Sequence, residues 1–189
     1  YAKSGTDQFG DRYMFGDTLE FSDPNAFNCG VETVTFDGHE YSTVQIEDQC
    51  WFAENLRSDN YNDETAISSG LNTTAWSSNS TGATAIYDEG SANEATNLAA
   101  YGRLYNWYAV NTGKLCPSGW HVPTDDDWTT LTTALGGESV AATKMKSTLW
   151  DGDNSSGFSG LPNGRRNHVG EFGNVDLIGY YWSSSLDGS

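Results

Sequence analysis

Carboxylates are the residues of this chain with the strongest chemical signature. Asp151-Gly152-Asp153-Asn154-Ser155 sets oxygen ligands at alternate positions, which suits a hard divalent cation such as calcium. It is not an EF-hand, because Ser156 stands where that loop needs glycine and no glutamate closes the twelfth position. Calcium held by oxygens from separate loops would draw on Asp59, Asp63, Glu64, Asp88, Glu89, Asp151 and Asp153. The competing reading is a solvated acidic surface. Composition favours it, since 26 Asp+Glu against 9 Lys+Arg give a formal charge of -17 and such charges normally stay in water.

Nucleophiles are sparse. His39, His121 and His168 are scattered without the spacing of a metal site. His121 follows Cys116 in sequence, but that neighbourhood alone makes no thiolate. No set of nucleophile, base and orienting group is present, so no enzymatic activity is expected. Cys29 and Cys50 flank a stretch that reads as a β-hairpin turning at Asp37-Gly38, so a disulfide closing its ends is expected. Cys116 is left over.

The other candidates lie in the polar stretch from Asp59 to Asn97. Trp76, Tyr87 and Tyr61 are its candidates for stacking on the C–H face of a sugar, although residues of this kind more often anchor a loop in a core. Asn72, Asn79 and Asn154 each begin an N-x-S/T acceptor pattern for N-glycosylation, a short pattern that is common in Ser/Thr-rich sequence. A pI near 4.1 argues against nucleic acid and anionic membrane surfaces as partners. No run approaches the ~20 apolar residues of a spanning helix. The chain starts at Tyr1 without a signal-peptide pattern and is expected to be a mature or trimmed product of export.

The elements that must position these residues follow from periodicity. A chain of 189 residues suits one domain with an appendage: residues 1–28 as an arm or linker and 29–189 as the domain. Arg12 to Phe15 and Thr18 to Phe21 have the character of short strands or an extended arm. Thr33 to Phe36 and Tyr41 to Ile46 alternate as half-buried strands, after which Trp51 and Phe52 enter the core. Leu98, Tyr101, Leu104, Tyr105, Tyr108 and Ala109 recur at three- and four-residue steps, which predicts one helix ending at Asn111-Thr112-Gly113. Cys116 to Pro123 is a turn fixed by two prolines and a glycine, with Trp120 and Val122 inward. A second helix starts at the cap Thr124, places Asp125 to Asp127 against its dipole, buries Trp128, Leu131 and Leu135, and ends at Gly136-Gly137. Val140 to Met145 suits a short helix, Trp150 and Phe158 anchor a loop, and Gly179 to Ser185 reads as a strand. The sum is an α+β domain, two helices packed on small antiparallel sheets with long loops.

Four blocks in order, VQIEDQCWFAENLR, YGRLYNW, CPSGWHVPTDDDW and YYWSSS, span about Val31 to Ser185 with their surroundings and resemble the Fibrobacter succinogenes major paralogous domain, a family of secreted bacterial domains. The resemblance implies a C-type-lectin-like fold. It implies that Trp120, Trp128 and Trp182 are buried together, and that the cysteine of the CPSGWHVP block pairs with one in a last C-terminal strand, whereas here the sequence stops at Asp187-Gly188-Ser189. Two fillers of that gap are expected as alternatives: a continuation of the chain, or residues 1–27 from the same or a neighbouring subunit. The Glu-Pro-Asn or Gln-Pro-Asp and Trp-Asn-Asp motifs of calcium-dependent sugar binders of that fold do not occur. The paired reactive cysteines of formylglycine-generating oxidases, which share it, have only Cys116 to stand for them. The expectation is a non-enzymatic extracellular or cell-surface module, structural or adhesive, forming a homo-oligomer or filament. The alternative is a carbohydrate-binding module with glycan partners. No cofactor is expected apart from calcium at the carboxylates above.

Overall fold

In a computed structural model, which describes residues 27–186, Asp37 and Gly38 both take positive φ, 49° and 73°. That is the left-handed pair a two-residue hairpin turn needs. They join β1 (Val34–Phe36) to β2 (His39–Tyr41), antiparallel with Thr35 opposite Glu40. After Ser42 the chain forms β3 (Thr43–Ile46), and Glu47, at φ 52°, begins a second reversal into β4 (Gln49–Phe52). The strand expected from Tyr41 to Ile46 is therefore two strands. β4 is buried along its whole length, and its Cys50 is bonded to Cys29 across a Cα separation of 5.8 Å, as expected.

Next come α1 (Thr73–Ser77), capped by the Asn72 side chain, then β5 (Thr84–Ile86), α2 (Glu94–Tyr101), β6 (Arg103–Tyr105) and α3 (Trp107–Val110), capped by Asn106. The single helix expected through Leu98 to Ala109 is thus corrected to helix, strand and short helix. Gly102 breaks it, at φ 71° and ψ -152°. A Cβ there would lie 2.8 Å from both the Asn55 Cβ and the Leu56 carbonyl oxygen, so the chain passes too close to that backbone for any residue but glycine. The residues beyond it are drawn into antiparallel pairing with β5, Ala85 opposite Leu104.

The helix expected from Thr124 forms as α4 (Asp125–Ala134) with a full capping box between Thr124 and Asp127. α5 (Glu138–Met145), a 3-10 turn at Thr148–Trp150, β7 (Asn163–Arg166) and β8 (Phe172–Val175) complete the described fold. It is α+β, with every sheet a two-stranded antiparallel pair. The main core gathers Ile46, Trp51, Leu131, Leu135, Ala141 and Phe158. A second surrounds Ile67, Val110 and Leu115, and a third surrounds Trp76, Ala83 and Ala85. Among the described residues no helix is long and apolar enough to cross a membrane. Arg12 to Phe15 and Thr18 to Phe21, and with them most of the proposed arm, lie outside the described residues. Phe27 packs edge-on against Trp120.

Two expectations near the end of the chain are corrected. The three tryptophans are not buried together: Trp120 and Trp128 are half-buried, the first on Phe52 and the second on Trp51, while Trp182 is 43% exposed and leans on Trp107. Nor is Gly179 to Ser185 a strand. Only Gly179 bridges to Gly164, and the rest is bonded mainly through side chains rather than through a ladder.

A candidate aromatic groove

The run from Tyr180 to Ser185 is held point by point. The buried Asn163 of β7 accepts the Tyr180 N–H at its Oδ1, 3.0 Å away. The Tyr181 hydroxyl accepts from the Leu161 N–H at 2.8 Å and donates to the Leu161 carbonyl at 3.1 Å, and desolvation of that hydroxyl end pushes its pKa up to about 12 although the residue as a whole is 39% exposed. Trp182 donates its indole N–H to the Tyr105 carbonyl at 2.7 Å, and the Trp128 indole donates to the Trp182 carbonyl at 3.2 Å. Ser184 donates its N–H to Pro123 and its hydroxyl to Val122. Glycine is needed at 179, where a Cβ would lie 2.5 Å from the Leu161 carbonyl oxygen and 2.9 Å from the Trp150 ring.

Two hollows lie against this run. One, of about 150 Å³, is apolar and reaches the core at Trp51, Phe158 and Cys116. The Cys116 thiol is buried, and burial alone pushes its pKa up to about 12, so it is a protonated, apolar wall group at neutral pH. The other is a groove of about 290 Å³ between β6, β7 and Tyr180 to Trp182. Three arginines border it. Arg103 donates to the Asp59 carboxylate at 2.8 Å and to the Arg57 carbonyl. Arg166, its side chain 3% exposed, donates to the Gly170 and Leu71 carbonyls, faces Glu89 at 3.8 Å and lies 4.3 Å over the Trp76 ring. Arg165 is exposed, its guanidinium 5.3 Å from the Tyr180 ring centre.

The residues nominated from sequence lie elsewhere. Trp76 is buried, donates its indole N–H to the Asn167 carbonyl and carries Arg166 on its ring, so it anchors a core and has no free face for a sugar. Tyr87 is half-buried against Phe172, and Tyr61 packs beside Ile67, Val110 and Leu115. Among the described residues no three His, Cys, Asp or Glu side chains converge as a metal site would require. Asp59 pairs with Arg103 and Asp63 with Lys114 at 2.8 Å. That ammonium and the Thr65 hydroxyl hold the exposed Asp63 carboxyl down at about 2. Glu89 faces Arg166, Asp153 accepts the Ser155 N–H, and Glu64, Asp88 and Asp151 are exposed residues at positive φ. His39 meets Glu54 and His121 meets Asp127, while His168 is exposed. Asn72 caps α1, Asn79 bonds within its own turn to Thr81, and Asn154 bonds to Ser159.

The model of the Fibrobacter succinogenes major domain matches residues 44–189. The chain belongs to the Fibrobacter succinogenes major domain family. The match starts in β3 and takes in the whole Fibrobacter succinogenes major domain core, with both hollows and the Tyr180 to Ser185 run; the β1–β2 hairpin precedes it. No curated protein and no solved structure matches the chain. From sequence, Tyr180 to Trp182 read as strand and core and not as site residues, and Arg165 is passed over; its signal is that Arg165-Arg166 is an adjacent pair in a chain with only 9 Lys+Arg.

Proposed function

We propose that this chain is a non-enzymatic extracellular module, adhesive in function, whose working face is the shelf formed by Tyr180, Tyr181 and Trp182 and the groove beneath it. The observation that carries this is an exposed aromatic run fixed in place by specific bonds. Trp182 spends its one side-chain polar atom on the Tyr105 carbonyl and leaves its ring partly exposed beside Trp107. Exposed apolar patches of this kind mark interaction sites, and a ring held without side-chain freedom binds at low entropic cost. The extracellular part is supported by the Cys29–Cys50 disulfide, which belongs to an oxidising compartment. The lack of catalysis is supported by Cys116, whose protonated thiol in an apolar wall is a poor nucleophile. The lectin-like resemblance fits a binding role but rests on the sequence blocks alone. Binding to an immobilised glycan panel tests the reading: Trp182→Ala should lose binding roughly tenfold or more, as removal of an aromatic anchor does, with the fold intact. Panel binding that ignores this substitution would refute it.

Self-association is a second reading with its own observation. Leu149 is 88% and Leu177 71% exposed, and the Trp150 indole donates to the Leu177 carbonyl, which ties the 3-10 turn carrying Leu149 to the segment carrying Leu177 and Ile178. Sedimentation that shifts with concentration, and stops shifting in Leu149→Ser/Leu177→Ser, would support it.

A further inference from the structure

We propose that the groove binds a carboxylate-bearing saccharide, with Arg165 reading the charge and Trp182 offering the ring face; this rests on the adhesive reading of the same shelf and adds the chemistry of its ligand.

The first support is how the cations are used. Among the described residues Arg57, Arg103, Lys114 and Arg166 each face a carboxylate: Glu54, Asp59, Asp63 and Glu89. Arg165, like Lys144 and Lys146, makes no such ion pair, and of these three it alone borders the groove. It lies over Tyr180 at the groove's border. A guanidinium stacked on a ring keeps its edge donors free, and that edge matches a carboxylate with two parallel hydrogen bonds.

The second support is what the groove leaves unbonded. The Arg103 N–H is given to the Leu56 carbonyl at 2.9 Å, the Tyr105 carbonyl accepts from Trp182, and the Gly164 N–H is given to the Ile178 carbonyl at 2.9 Å. Both strands thus have backbone groups already engaged outside their own hairpin pairing, which leaves fewer of them for an extended peptide, held as it is by main-chain bonds. Free instead are a ring face and one cation. A pyranose presents a C–H face to the first, and a carboxylate on that sugar reaches the second. A uronic acid has both.

Trigalacturonate and its methyl ester, which keeps the rings and removes the charge, are the probes. Isothermal titration at 0.15 M salt limits repulsion from the protein's net charge to about 8 Å. The acid should bind roughly tenfold or more tightly than the ester, the range of a charge-assisted hydrogen bond. Arg165→Ala and Arg165→Gln should abolish that preference, so that acid and ester bind alike, with near-ultraviolet circular dichroism reporting an intact fold. Equal affinity for acid and ester, or a preference that survives both substitutions, overturns the inference. Ester binding that is still lost in Trp182→Ala would then leave the adhesive reading standing. A poly-glutamate peptide bound as tightly as the uronate overturns the saccharide class, and no binding of the acid overturns the site.

Discussion

Replacing Gly102 by alanine should be among the most damaging single-methyl additions in this chain. Its φ of 71° and ψ of -152° fall in a region essentially reserved for glycine, at a cost of about 1–3 kcal/mol for an L side chain. The added Cβ would also stand 2.8 Å from the Asn55 Cβ and from the Leu56 carbonyl oxygen, and relieving that means moving the Asn55-Leu56 backbone. Two bonds hang on it: Asn55 Nδ2 to the Tyr101 carbonyl and the Arg103 N–H to the Leu56 carbonyl, both 2.9 Å. Weakening each costs about 1 kcal/mol, so the expected loss is about 3–5 kcal/mol, or roughly 10 °C in Tm for a domain of this size. Gly113 is the control. It has φ 66° with open space around its missing side chain, so Gly113→Ala should cost only about 1–2 kcal/mol of left-handed strain. Urea unfolding of both variants at 25 °C decides the matter. Costs within about 0.5 kcal/mol of each other, the usual limit of surface effects, would show that the close approach to Asn55 and Leu56 does not dictate the break.

Two further outcomes follow from the cysteines. Burial lifts the Cys116 pKa from 9.0 to about 12; for an acid kept neutral by the fold, stability is whole below about pH 9 and falls as pH rises toward 12. At most about 4 kcal/mol is at stake, so Cys116→Ala should flatten part of the alkaline slope in unfolding curves, and an identical slope would contradict the burial. The Cys29–Cys50 bond closes a loop of sequence separation 21, worth about 3 kcal/mol. Cys29→Ser/Cys50→Ser should lower the urea midpoint accordingly, and an unchanged midpoint would remove the disulfide from the stability account.

What the sequence disclosed was whatever neighbouring residues decide among themselves. The Thr124 cap, the three aspartates after it and the Leu131 and Leu135 spacing define α4 without help from the rest of the fold, and the Asp37-Gly38 turn likewise defines the first hairpin. The helix drawn through Leu104 failed because its three- and four-residue spacing is genuine, but the fate of Gly102 is set by Asn55 and Leu56, about 46 positions earlier. Tyr180 to Ser185 misled for the opposite reason. Its composition suits a strand, yet its backbone partners are Asn163, Pro123 and their neighbours, which no local pattern reveals. Trp76 was nominated as a platform because its stretch is polar, and only the fold brings Arg166 onto its ring.

The way the chain is tied gives it an unequal response to force. A pull entering ahead of Cys29 passes through the covalent bond to Cys50 in β4 and bypasses residues 30–49, so the β1–β2 hairpin and β3 lie outside the covalent load path, which continues through Trp51 and Phe52. A pull leaving through Leu186 meets the bonds of Ser184, Trp182, Tyr181 and Tyr180 one after another. Bonds loaded in series peel, and each yields before the next is engaged. A ligand lodged between that run and β7 would have to be torn before the run could lift, turning a weak seam into a clasp that tightens when the groove is occupied.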